Sequence, residues 1–164
     1  GRDIRRGLCK LFSNSKIMNL KNEFIPYKQA LALKELGFDE DCFSDYFSFN
    51  NVNQTLEDDI QLILDQESID DYCEENNLYP FHICSAPLYQ QAFRWFREKY
   101  NLDSSISNFY FTQALVGTGY GFYVHKNRNC TNNGENYGFH ITHEEAEQAC
   151  LVKLIEIVNQ NKDE

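Results

Sequence analysis

A chain of 164 residues with 42% apolar and 15% aromatic residues can bury one real core, whereas two domains would each be thin. The composition excludes a disordered chain, a collagen-like repeat and a disulfide mini-scaffold, and the longest uncharged stretch, 104–125, holds too many Gly, Ser, Thr and Gln for a membrane span. The net charge of −10 is unevenly placed: residues 35–75 carry fourteen acids and no base, which disfavours broad contact with nucleic acid or anionic lipid.

In chain order, residues 1–17 read as an N-terminal extension, non-native or flexible, because Met18-Asn-Leu-Lys looks like a natural start. Residues 18–160 form a single domain, with 161–164 as a frayed tail. Pro26 suits the first position of a helix whose apolar face is Ala30, Leu31, Leu33 and Leu36. Gly37 fits a left-handed C-cap, with Phe38 for the accompanying contact. The aromatic run Cys42-Phe-Ser-Asp-Tyr-Phe-Ser-Phe49 is strand-like. Thr55 ahead of Leu56, Ile60, Ile63 and Leu64, with acids in the first turn, predicts a helix; a strand over 60–64 is the rival. Residues 69–75 suggest a short helical turn, and 78–84 a short strand with Pro80 at its start or edge.

Ser85-Ala-Pro87 opens the strongest helix, which carries the stripe Leu88, Ala92, Trp95 and Phe96, runs to Tyr100 and stops at Asn101. Residues 106–126 predict two antiparallel strands broken around 114–118. Gly119 and Gly121 alternate with Tyr120 and Phe122, so one sheet face is bare enough for another backbone, a helix or a ligand to approach. Residues 137–141 predict a short strand. Thr142-His-Glu-Glu145 is a capping box that opens the last helix. The expected fold is α+β: a small antiparallel sheet of three to five strands, covered mainly on one face by three helices at 27–37, 87–100 and 143–159.

Three segments carry a resemblance: Glu23-Phe-Ile-Pro-Tyr-Lys-Gln-Ala-Leu-Ala-Leu-Lys-Glu-Leu-Gly-Phe-Asp39, Ala86-Pro-Leu-Tyr-Gln-Gln-Ala-Phe-Arg-Trp-Phe-Arg-Glu-Lys-Tyr100 and Glu144-Glu-Ala-Glu-Gln-Ala-Cys-Leu-Val-Lys-Leu-Ile-Glu-Ile-Val158. Together they resemble a group of small hypothetical proteins of gut Bacteroidetes and their phages and prophages. The resemblance implies a phage or mobile-element setting and no catalytic residues. The acidic stretch around 51–77 and the glycine-rich segment 114–121 look unlike the shorter relatives.

Six cysteines at 9, 42, 73, 84, 130 and 150 form no CxxC, and the N-terminus has no signal-peptide pattern, so a reduced, cytoplasmic setting is expected, the host cytoplasm if the chain is phage-encoded. Cys84 ends a strand just before a helix start, where a thiol pKa is lowered, and His82 two residues back would share its face on a regular strand. A buried, inert Cys84 is the bland reading. His125, Cys130, His140 and His143 could close a zinc site, but H-x4-C-x9-H-x2-H matches no familiar finger. Arg94, Arg97 and Lys99 with Tyr110, Tyr120 and Tyr123 could make a base-stacking platform for single-stranded nucleic acid, against the acidic block. Gly117-Thr-Gly-Tyr-Gly121 lacks the Lys-Ser/Thr of a phosphate loop.

The expected function is a noncatalytic accessory protein that binds a protein partner with a basic surface through Asp58, Asp59, Asp70 and Asp71, with no cofactor and no membrane contact. The alternatives are a small enzyme using Cys84 or a metal near His140, and a nucleic-acid module.

Overall fold

The computed structural model describes residues 21–49, 60–64, 80–111, 117–126 and 135–162. The N-terminal extension, the aspartates at 58, 59, 70 and 71, Thr55, Cys130, the helical turn expected at 69–75 and the tip of the tail lie outside them.

Helix α1 spans Tyr27–Glu35. Pro26 is its N-cap in extended conformation (φ −61°, ψ 154°), one position earlier than expected, and its carbonyl accepts from the amides of Gln29 and Ala30. The C-terminus closes as the glycine predicts. Gly37 has φ 85°, its N–H donates to the Lys34 carbonyl at 2.9 Å, and the Phe38 N–H donates to the Leu33 carbonyl at 2.9 Å. That is a Schellman closure, and Phe38 then packs edge-on against Trp95.

Strand β1 (Asp45–Ser48) lies between β2 (Ile60–Ile63) and β3 (Phe81–Ser85), antiparallel to both. The helix expected after Thr55 is therefore corrected over 60–63, where the rival strand is what forms. Its alternation is the reason: Ile60 and Leu62 pack against the core while Gln61 is exposed, a period of two that a helix cannot use.

Helix α2 spans Tyr89–Tyr100 and begins two residues later than expected after Pro87. The missing turn is engaged elsewhere. The Ile25 amide donates to the Pro87 carbonyl at 3.0 Å, the Tyr89 amide to the Glu23 carbonyl at 3.1 Å, and the Ala86 amide to the Ser44 carbonyl at 2.8 Å. Asn101, at φ 58°, supplies the left-handed stop. Strand β4 (Leu102–Phe111) follows at once, four residues earlier than expected, and pairs with β5 (Gly117–Lys126), which pairs with β6 (Glu135–His140). Helix α3 spans His143–Gln160 and opens with the predicted capping box: Thr142 Oγ1 accepts from the Glu145 amide at 3.1 Å and Glu145 Oε2 from the Thr142 amide at 3.4 Å.

The fold is α+β, and its strands divide into two three-stranded antiparallel sheets. β1 is the central strand of the first sheet, and among the described residues the second sheet is built from the strands that follow α2. Helices α2 and α3 pack on one face of the second sheet, and α1 packs on both β3 and α3. One core results, in which Leu33, Phe96, Leu151 and Leu154 are fully buried. Trp95 is 5% exposed within it, in edge contact with Phe38, Phe96 and Tyr100. Among the described residues, no helix is long and apolar enough to cross a membrane.

Candidate functional site

The thiol candidate loses its proposed base to a bulge. The β1–β3 register pairs Tyr46 with Cys84 but Phe47 with His82, leaving Ile83 as an extra residue. A bulge breaks the period of two, so Cys84 goes inward with Tyr46 and is 1% exposed, while His82 goes outward with Phe47. The expectation that they share a face is corrected accordingly. His82 instead has its Nε2 3.1 Å from Asp45 Oδ1 and its ring 5.4 Å from that of Phe47. The helix that was to acidify Cys84 starts at Tyr89, and burial pushes the thiol up to about 11 despite the nearby Lys34 ammonium. Burial likewise pushes Cys150 up to about 12, and burial together with Asp45, Glu40 and Asp41 pushes Cys42 up to about 11. These thiols are the protonated, weakly nucleophilic kind.

The histidines of the metal candidate do not converge. On β5, Tyr120, Phe122 and Val124 share the face covered by helices, so Tyr123 and His125 fall on the other. His140 stacks on Phe122 and His143 meets Tyr120 edge-on, on the covered side, whereas His125 stacks on Tyr123 opposite it. His143 Nδ1 lies 3.6 Å from Glu147 Oε2, whose carboxyl is raised mainly by burial and lowered in part by His143. Among the described residues, no group of three or more His, Cys, Asp or Glu could hold a metal ion.

The same parity splits the stacking platform, because Tyr120 and Tyr123 point to opposite faces. Its cations are engaged as well. Arg94 donates to Glu40 at 2.8 Å and Arg97 lies 3.7 Å from Asp103. Lys99 donates to the carbonyls of Leu36 and Gly37 and sits 4.7 Å from the Trp95 ring centroid. The bare face at Gly119 is taken by the ring of Phe139.

What the sequence reading passed over is the polarity of β1 and the loop before it. Ser44, Tyr46 and Ser48 face inward, the two serines only 3% and 1% exposed, and the Ser44 hydroxyl has no hydrogen-bond partner among the described residues. Phe43, Asp45 and Phe47 face the other way, and Phe43 is 82% exposed. Strands normally place their aromatics inward and their serines outward, because burying the ring removes more apolar surface from water. Here Tyr46 keeps the inward place, but both serines are inward as well, while Phe43, just before the strand, and Phe47 are outward. The signal was present as Phe-Ser-Asp-Tyr-Phe-Ser at 43–48, where two of the three aromatics share parity with an aspartate.

The loop that carries Phe43 is held in place. Gln91 Nε2 donates to the Asp41 carbonyl at 2.8 Å and to Glu40 at 3.3 Å, Arg94 donates to Glu40, and the Ser44 carbonyl accepts from Ala86. Asp39 and Asp41 are exposed beside it. The result is an outward phenylalanine on a tied loop that also carries the exposed Asp39 and Asp41, with Asp45, Phe47 and His82 on the outward side of β1 and β3. No family model matches the chain, and neither the curated proteins nor the solved structures contain a match to it.

Proposed function

We propose that this protein is a noncatalytic accessory protein, in the phage or prophage setting that the resemblance implies, and that it binds a protein partner with a basic surface. The observation that carries the reading is the inward Ser44 and Ser48 together with the exposed Phe43. A solvent-facing Phe on a tied loop is an anchor held ready before binding, so little ordering entropy is lost on association. The exposed carboxylates of Asp39 and Asp41 on the same loop favour a cationic surface on the partner, and the acidic block of the sequence with Asp58, Asp59, Asp70 and Asp71 adds to that preference. The raised thiols support a role without covalent chemistry.

The test is affinity capture from a Bacteroidetes host lysate, with nuclease added, using the wild-type chain, Phe43→Ser and the pair Asp39→Lys with Asp41→Lys. A protein retained by the wild type should be lost by both variants and should release as salt rises, because exposed charges are screened beyond about 8 Å at 0.15 M. Equal retention by all three proteins overturns the proposal, and so does retention that disappears with nuclease.

A further inference from the structure

A cleft of about 210 Å³ opens where the C-terminal ends of α2 and α3 meet β4 and β5, lined by Tyr100, Leu102, Lys126, Val158, Asn161 and Lys162. We propose that it binds a small monocarboxylate, with the apolar body on Leu102 and Val158 and the carboxylate between Lys126 and Lys162. The floor is apolar because Leu102 and Val158 are core residues whose outer surfaces end here. Leu102 and Lys126 are cross-strand partners, so the lysine stem rises beside that floor.

The polar groups of the cleft select the ligand. The Tyr100 hydroxyl donates to the Leu36 carbonyl and one Asn161 N–H to the Ile157 carbonyl, so the Tyr100 proton and one of the two Asn161 donors are engaged. Lys34 and Lys99 donate to backbone carbonyls and Lys153 lies against Glu156. Lys126 and Lys162, by contrast, have no ion pair among the described residues. Two ammonium groups over an apolar floor complement a molecule with one anionic end and one greasy end. Bulk phosphate fits poorly, since its remaining oxygens would face Leu102 and Val158 and lose hydration without replacement. Size sets the class: at about 210 Å³ the cleft is smaller than the roughly 300–1,000 Å³ of sites for drug-sized ligands, so the acid is a short one.

The site is separate from the Phe43 surface and does not depend on it. The test is a ¹H–¹⁵N NMR titration of the whole chain with sodium hexanoate, hexanamide and inorganic phosphate at constant ionic strength. Hexanoate should give saturable shifts centred on the amides of the six lining residues, with hexanamide and phosphate each about tenfold weaker or more, the size expected when a charge-assisted contact is lost. The double variant Lys126→Gln with Lys162→Gln, checked for an unchanged circular dichroism spectrum and melting temperature, should lose hexanoate binding by at least as much. Equal binding of hexanamide would reduce the site to an apolar cleft, and equal binding of phosphate to a pair of surface lysines; either result, or no saturable shift, overturns the proposal.

Discussion

The ring of Phe139 lies where a side chain on Gly119 would have to be, so the glycine is the seat of the phenylalanine. A register shift between Tyr120 and Phe122, with Gly138 at φ 69°, lets β6 place that ring over its neighbour strand. Because Phe139 is part-exposed, it can swing away from an added methyl, and the cost is the lost ring contact. Gly119→Ala should destabilise by about 1 kcal/mol in urea denaturation. In a Phe139→Ala background the same change should be near neutral, since alanine also lowers the entropy of the unfolded chain. An equal cost in both backgrounds would show that the ring is not the reason for the glycine.

Helix ends give a second, independent check. Gly37 is held at φ 85° and a Cβ there would come within 3.2 Å of Lys99 Nζ, the same ammonium that donates to the Leu36 and Gly37 carbonyls. Gly37→Val should cost about 1 kcal/mol or more through left-handed strain. Thr142→Ala should cost about 0.5–2 kcal/mol through the lost N-cap. Thermal melts of the two single variants and of the double variant should show additive losses, as the caps share no partner.

Trp95 should be the most costly single truncation. It is nearly buried, touches three aromatic rings and carries Lys99 against its face. Trp95→Ala should destabilise by about 3–5 kcal/mol, enough to unfold a marginal domain at room temperature. Trp95→Phe retains most of the ring volume and should recover a cooperative melt. An unchanged melting temperature for the alanine variant would contradict the packing.

Alkaline pH should weaken the fold. The thiols of Cys84 and Cys150 rise from 9.0 to about 11 and about 12, and the phenols of Tyr46 and Tyr89 from 10.0 to about 12, all chiefly because burial disfavours the anion. The folded chain then holds protons that the unfolded chain releases above pH 9. Stability from these groups is therefore full below pH 9 and declines as pH rises through 9 to 12. Melting temperature measured from pH 7 to 11 should be level at first and then fall. A thiol reagent at pH 8 should modify Cys84 and Cys150 slowly in the native protein and quickly in urea.

The local devices were written plainly in the residues. The Gly37 closure, the Asn101 stop, the Thr142–Glu145 box and the three helices follow from side chains acting on their own neighbouring backbone, and short-range sterics need no tertiary partner to be read. Apolar spacing also conveyed which helix faces are buried. Residues 60–63 show where that approach ends: Ile60, Ile63 and Leu64 suit a helix face, and only the free edge of β1 selects the alternation that puts Ile60 and Leu62 inward. The bulge at Ile83 is likewise a property of two strands, so the separation of His82 from Cys84 could not be counted off along one of them. The β5 parity that parts Tyr120 from Tyr123 was countable, but which face the helices cover was not. Sequence by itself determined the three helices, the Gly37 and Asn101 stops, the Thr142–Glu145 box and the acidic charge. The tertiary structure alone decided that Ser44 and Ser48 are buried while Phe43 is exposed, because burial depends on what packs against a strand: the Ala86 amide donates to the Ser44 carbonyl, and Tyr46 between the two serines reaches the Ile25 carbonyl.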